Sequence, residues 1–132
     1  GRFLTLMDLG RVDLTVRTGV HRVMLALRCR PVVASEVVRF RRPLLLGQRF
    51  SLDSRIVGWD QRSVYIEHRV HRADEMVAVA MVRGMFAGPG GTVAPERLAR
   101  AIGYAGPPPV LPPTIVGWRA AEEELLGSRP RG

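Results

Sequence analysis

The residues in this sequence that could carry chemistry are a few carboxylates. Asp8 lies in a stretch of helical periodicity, and Glu36 lies at the start of a strand-like stretch. A carboxylate in a cleft can activate water or attack a carbonyl carbon. Asp8 is the stronger candidate because it falls between two apolar stripes of its predicted helix, where a cleft could open. One stripe is formed by positions 3, 7, 10 and 14, and the other by positions 9, 12 and 16. The alternative interpretation is an ion pair with Arg11, three residues on.

A run of arginines and a tryptophan are candidates for binding. Arg39, Arg41 and Arg42 form the densest basic run, and guanidinium groups bind phosphate in a bidentate manner. A solvated strand face is the alternative, because Arg accounts for all 20 basic residues of the chain. Trp59, beside Asp60, could cover an aromatic base or cap the core. Asp60 itself is typical of turn chemistry.

The histidines and the single cysteine do not form a metal-binding pattern. His68 and His71 lie three apart in a strand-like stretch and therefore point to opposite faces. Cys29 is alone, which rules out a multi-cysteine metal site. His68 shares the apolar face of its strand, so it is either a hydrogen-bonded core histidine or a substrate-binding residue. We expect no metal and no cofactor.

Periodicity predicts one long helix followed by an antiparallel sheet. Apolar residues at helical spacing predict a helix over residues 3–17, with Gly19 as its stop. Alternating residues then predict five strands, over residues 23–29, 36–41, 50–57, 64–71 and 76–86. The last of these is apolar on both faces, which is typical of a central strand. Pro31 is expected to end the first strand.

Two further features predict where the long helix packs and which elements end the chain. Ala78, Ala80 and Gly84 share one face, so the helix can lie close to the sheet. Short helices are predicted after Pro95 and around Trp118, and residues 122–124 are expected to face solvent. We predict an α+β domain over residues 1–103, then a proline-rich linker and helical tail over residues 104–132.

Length and composition exclude several classes of protein. With 132 residues the chain suffices for one packed core. Its net charge of +8 comes with a complete absence of Lys and Asn, as a GC-rich coding bias produces, and aromatic residues make up 6%. We therefore expect no nucleic-acid partner. The longest uncharged stretch, residues 101–118, contains five prolines, and the first residues lack the pattern of a signal peptide. No membrane span and a cytoplasmic location are expected.

Three segments resemble a known family. Residues 1–11, with Asp8-Leu9-Gly10-Arg11, are similar to the helix signature of 4-hydroxybenzoyl-CoA-thioesterase-like proteins, and residues 38–44 and 58–69 resemble the acyl-CoA thioesterase branch. The resemblance covers residues 1–87. It implies the hotdog fold, in which an antiparallel sheet wraps a long helix, together with acyl-CoA hydrolysis and assembly into a dimer or tetramer.

The resemblance also implies roles for particular residues. The family places a first strand, and a loop with a catalytic Asp, ahead of the helix, and this sequence opens after that position. Three hypotheses follow: a longer protein supplies the Asp, another carboxylate such as Asp8 acts, or the domain binds acyl-CoA or a protein without hydrolysis. The first helical turn at Gly1 would hold the oxyanion. The substrate-binding candidates are Gly1, Arg11, Arg39, Arg41, Arg42, Trp59 and His68.

Overall fold

A computed structural model describes Leu14, residues 17–43 and residues 49–127. Three helices are bounded within this part of the chain: α1 (Val20–Leu27), α2 (Pro95–Ala101) and α3 (Pro113–Gly127). The strands are β1 (Arg30–Phe40), β2 (Ser51–Trp59), β3 (Val64–Arg72), β4 (Glu75–Gly88) and β5 (Gly91–Val93). The predicted α+β class is confirmed.

The strands form one antiparallel sheet in the order β1-β4-β3-β2, and the short β5 pairs with β4. β4 lies between β1 and β3, as its apolar character on both faces predicted. In the described part of the chain, β1 and β2 are the two edges of the sheet. β5, which forms a hairpin with β4 through the glycine-rich turn, was not predicted.

The predicted first strand, residues 23–29, is wrong, because most of this stretch forms helix α1. Val20, Val23, Met24 and Leu27 belong to one core cluster, and their spacing is that of a helix face. Leu25 is 78% exposed, whereas a strand would place it beside Val23 and Leu27. The apparent alternation arose because apolar residues occur on most of the helix.

Glycines end helices where the sequence predicted them to. Gly19 adopts a φ of 78° and separates the helical residues Arg17 and Thr18 from α1, and Gly103, with a φ of 101°, follows α2. Such backbone conformations strongly favour glycine. Pro31, by contrast, does not end a strand but lies inside β1. An edge strand tolerates proline because one of its sides has no hydrogen-bonding partner strand.

One face of the sheet packs against the helical residues that precede it. Leu14 is buried, and Arg17 donates a hydrogen bond of 3.2 Å to the backbone oxygen of Ser54. Ala78 and Ala80, predicted to let a helix lie close, are both buried. The predicted helix over residues 3–17 otherwise lies outside the described residues. We call this side of the sheet the helix face.

The opposite side, which we call the outer face, is covered in part by α3. Ile115 is 1% exposed, and the rings of Trp118 and Tyr65 meet edge to face at 6.4 Å. The prediction that residues 122–124 all face solvent is wrong for Glu122, whose Oε1 is buried and whose Oε2 accepts a hydrogen bond from Ser35. The helix packs through positions 115, 118, 119 and 122, and this spacing defines a single helical face.

Among the described residues, no helix combines the length and the apolar character that crossing a membrane requires.

Candidate functional site

An apolar cavity of about 300 Å³ lies between the helical residues and the helix face of the sheet. Leu14, Val20 and Met24 line it from the helical side. The sheet contributes residues from all four long strands, namely Ile56, Val64, Ile66, Val82, Gly84, Phe86, Pro31, Val32, Val33 and Met85. Val32 and Val33 are 41% and 48% exposed, so the cavity opens beside the edge strand β1.

Strand register places two of the predicted site residues on the helix face, next to this cavity. Glu36 is the cross-strand neighbour of Val82, which lines the cavity, and it is half-buried. His68 follows Ile66, another lining residue, two positions along β3. Side chains two apart on a strand lie on the same face, so both candidates are neighbours of lining residues, although neither lines the cavity itself.

His68 is fully buried and shares a hydrogen bond with Ser54. Its Nδ1 lies 2.6 Å from the hydroxyl oxygen of Ser54, its cross-strand neighbour on β2. The predicted position of His68 on the apolar face of β3 is therefore confirmed. A buried imidazole needs such a partner, because an unsatisfied polar atom in the core is costly.

The structure does not bring Glu36 and His68 together. Glu36 lies on β1 and His68 on β3, and the central strand β4 runs between them. Two inter-strand spacings separate β1 from β3 by about 10 Å, and the two residues are also offset by two positions along β4. Ala80, the cross-strand neighbour of His68 on β4, is buried. The two residues therefore do not form an acid–base pair.

The three arginines lie at the far end of β1. Arg39, Arg41 and Arg42 are all exposed, as either interpretation of this run requires. Arg42 Nε donates a 2.9 Å hydrogen bond to Glu75 Oε1. This hydrogen bond raises the pKa of Arg42 and lowers the pKa of Glu75. One of the three guanidinium groups is thus held by a carboxylate of the protein itself.

Trp59 lies at the other end of the sheet from the arginines. Its ring packs on the core cluster around Phe86 and meets the ring of Tyr104 edge to face at 5.1 Å. A second pocket of about 290 Å³ lies beside it, and Asp60 and Glu96 contribute to the lining. Trp59 therefore does not share a pocket with Arg39, Arg41 and Arg42.

Asp60 has a larger structural role than the turn that the sequence predicted. Its Oδ1 accepts backbone hydrogen bonds from Arg62 and Ser63, at 3.0 and 2.8 Å, which confirms the turn. Its Oδ2 accepts hydrogen bonds from the hydroxyl of Tyr65, at 2.8 Å, and from the guanidinium of Arg119, at 3.2 Å. Arg119 belongs to α3, so this carboxylate joins the sheet to the C-terminal helix.

The pKa values of this cluster follow from its geometry. Burial opposes the charged form of Asp60, but the hydrogen bonds from Arg62, Tyr65, Ser63 and Arg119 outweigh it and lower the pKa of the carboxyl. Burial, together with the hydrogen bond to Asp60, raises the pKa of Tyr65 to about 12. Tyr65 is therefore a neutral donor and Asp60 a charged acceptor near neutral pH.

A row of outer-face residues beside Asp60 is also covered by the C-terminal segment. Gly58, Tyr65, Arg83 and Ser35 are successive cross-strand neighbours. A Cβ at Gly58 would lie 2.7 Å from Cδ2 of Leu111, so the missing side chain admits the linker. This contact surface was not predicted from the sequence. Its signal was the spacing of positions 115, 118, 119 and 122 in α3.

Three of the predicted site residues, Gly1, Asp8 and Arg11, lie outside the described residues. Within residues 17–43 and 49–127, no three His, Cys, Asp or Glu side chains come together as metal ligands would. Cys29 is buried with a free thiol. None of the described candidates lines the apolar cavity, but Glu36, His68 and Trp59 are strand neighbours of the lining residues Val82, Ile66 and Val64.

An antiparallel sheet with helical residues packed across one face is the arrangement of hotdog-fold proteins. The sequence profile of the thioesterase-like superfamily matches residues 1–114. The chain belongs to this superfamily.

Solved structures share this fold. The probable thioesterase YbaW from Escherichia coli superposes with a TM-score of 0.69 at 19% identity, over 78% of this chain and 80% of that chain. A thioesterase from Thermus thermophilus, solved in complex with coenzyme A and Zn, superposes with a TM-score of 0.60 at 26% identity, over 80% and 79% of the two chains. The predicted hotdog fold is confirmed.

A similar curated protein is the protein THEM6 from Danio rerio. It is 37% identical over 82 residues, which represent 61% of this chain and 41% of that protein. The chain thus spans less than half the length of this relative.

Proposed function

We propose that this domain hydrolyses acyl-CoA thioesters to a free acid and coenzyme A. The observation that carries the proposal is the apolar cavity of about 300 Å³ between the helical residues and the sheet. Its size lies at the lower end of the range for small-molecule sites. In a thioesterase-like domain, a cavity without charged lining residues in the described part of the chain suits the acyl portion of a thioester.

The proposed reaction needs a carboxylate and a site for the oxyanion. Asp8 accepts a proton from water, the water oxygen attacks the thioester carbonyl carbon, and the carbon–sulfur bond breaks. Water supplies the hydroxyl of the acid product, and its proton passes to the coenzyme A thiolate. Backbone N–H groups in the first helical turn, at Gly1, hold the negative charge that develops on the carbonyl oxygen.

The three exposed arginines are assigned to the coenzyme A portion. Arg39, Arg41 and Arg42, which are exposed at the end of β1, would bind phosphate groups. The coenzyme A complex of the Thermus thermophilus thioesterase, which is 26% identical, supports a ligand of this class. Arg11 and His68 are proposed to lie near the acyl portion. Trp59 lies at the opposite end of the sheet from the three arginines, so we assign it to the core and not to the adenine.

Thioester hydrolysis can be measured directly with the purified protein. We expect it to release free thiol from at least one member of a panel of acyl-CoA thioesters, detected with a thiol-reactive dye. Each rate is compared with hydrolysis in buffer and with the same protein after heat denaturation. Binding of acyl-CoA without any thiol release would instead support the non-catalytic hypothesis, in which the domain binds acyl-CoA or a protein partner.

We also propose that two copies pair through the β1 edges of their sheets. β1 spans Arg30–Phe40 and has a partner strand on one side only in the described part of the chain. Val37 and Phe40 on this strand are 42% and 52% exposed. A long edge strand with exposed apolar side chains favours pairing with another chain, and a two-fold interface uses the same surface twice.

Light scattering during gel filtration tests this pairing. We expect a mass of two chains of 14.6 kDa each. Val37→Lys places a charge on the edge strand and should weaken the dimer at least tenfold. Val110→Lys, at a position that is 94% exposed in the linker, is the matched control and should leave the dimer intact. A monomeric wild-type protein at high concentration would rule out the proposal.

A further inference from the structure

The chemistry of the cavity lining points to the kind of acyl group that it accepts. Every described lining residue except Thr18 has an apolar side chain or is glycine. The Thr18 hydroxyl donates a 2.8 Å hydrogen bond to the backbone oxygen of Leu14 in its own helix. A phenolic hydroxyl or a second carboxylate on the acyl group would therefore lose its water without gaining a matched side-chain partner from these residues.

The volume of the cavity indicates the length of acyl chain that would fill it. A methylene group occupies about as much space as a water molecule in the liquid, roughly 30 Å³. The cavity of about 300 Å³ therefore has room for about ten such groups. An acetyl or benzoyl group would leave much of this space empty, and an unfilled apolar cavity forfeits contact energy.

Gly84 contributes directly to the room in the cavity. It lies on β4 among the lining residues, and a Cβ there would lie 3.5 Å from Cγ1 of Val64 and 3.7 Å from the backbone oxygen of Val32. These are ordinary contact distances, so alanine fits at this position without displacing its neighbours. Any larger side chain would project into space that the acyl group needs.

We propose that the cavity selects straight-chain aliphatic acyl groups of about eight to ten carbon atoms over short, aromatic or polar ones. This inference rests on the proposed function, because it names the class of acyl group that the domain would bind. Gly84 and Met24, which line the cavity from the sheet and from α1, determine the length that it accepts.

Chain-length profiles of three variants test this inference. With straight-chain acyl-CoA thioesters of four to sixteen carbons, we expect kcat/KM of the wild type to rise about fourfold per added methylene up to the preferred length. Gly84→Ala should shorten the preferred length by one or two carbons, and Met24→Ala should lengthen it. Gly117→Ala is the matched control, because nothing lies within 4 Å of a Cβ at this α3 position.

A second measurement separates binding from hydrolysis. S-butyl-CoA and S-decyl-CoA are thioethers that water does not cleave, and calorimetry gives their affinities without turnover. We expect S-decyl-CoA to bind at least tenfold more tightly than S-butyl-CoA, and Gly84→Ala to reduce this ratio.

The outcomes distinguish the two proposals. If acyl-CoA thioesters are hydrolysed at rates that do not depend on chain length in any variant, the inference is wrong and the proposed function stands. If S-alkyl-CoA binding depends on chain length and shifts with Gly84→Ala but no thiol is released, the acyl site stands and hydrolysis does not. Equal affinities for both thioethers in all variants overturn the inference.

Discussion

Replacing Asp60 by alanine is expected to lower the free energy of unfolding by about 3 kcal/mol. The carboxylate accepts hydrogen bonds from two backbone amides of its turn, from Tyr65 and from Arg119. Without it, the Tyr65 hydroxyl loses a charged acceptor and α3 loses an anchor on the sheet. Urea denaturation followed by circular dichroism measures the change.

A matched aspartate provides the control for this substitution. Asp53 lies on the same strand-turn segment but is exposed, so Asp53→Ala should change stability by less than about 0.5 kcal/mol. Arg119→Met should lower the free energy of unfolding by less than Asp60→Ala does. The double variant should lower it by less than the sum of the two single changes. Strict additivity would show that Asp60 and Arg119 do not interact in solution.

The same carboxylate should make stability depend on pH. The pKa of Asp60 in the folded protein lies below its ordinary value of 3.8, so its charged form stabilises the fold. This contribution is complete above the unfolded pKa and is lost as the pH falls through the lower, folded pKa. The stability difference between wild type and Asp60→Asn should therefore stay constant above about pH 5 and shrink at lower pH. A constant difference down to about pH 2 would contradict this account.

Replacing Asp8 by asparagine is expected to lower the rate of thioester hydrolysis by a factor of about 10² to 10⁴ while leaving the fold intact. Asparagine has nearly the same shape but cannot take a proton from water. The predicted helix over residues 3–17 places Asp8 between two apolar stripes, where a cleft can open. Thiol release gives kcat, and thermal unfolding reports whether the variant is folded.

Two other carboxylates make this test specific. Asp13 lies on the opposite flank of the same predicted helix, so Asp13→Asn should retain activity. Glu36 is the rival candidate, because it neighbours Val82 at the cavity. Loss of turnover in Glu36→Gln together with normal turnover in Asp8→Asn would move the catalytic role to Glu36.

The sides that strand residues face could largely be predicted from the sequence, and so could the central position of β4. His68 lies on the apolar face of its strand with Val64 and Val70, as alternation indicated. Such patterns are predictable because a strand places every second side chain on one face, whatever packs against it. The same holds for Gly19, whose left-handed backbone conformation depends on its own missing side chain.

Helix α1 could not be predicted in this way. Residues 20–27 contain apolar residues at both strand and helix spacing. Only packing against the core cluster around Cys29 and Phe86 favours the helix over the strand. The chain forms a helix because that geometry packs Val20, Met24 and Leu27 on one core cluster while leaving Leu25 in solvent. Which spacing prevails is decided by the partner surface.

The sequence by itself thus determined the α+β class, the strand faces and the helix stops, because each depends on residues that are neighbours along the chain. Only the tertiary structure decided the size of the cavity, the separation of Glu36 from His68 and the tie between Asp60 and Arg119. Asp60 and Arg119 are 59 positions apart, and they meet because α3 folds back across the sheet. Contacts of this kind depend on how whole elements pack, which local periodicity does not encode.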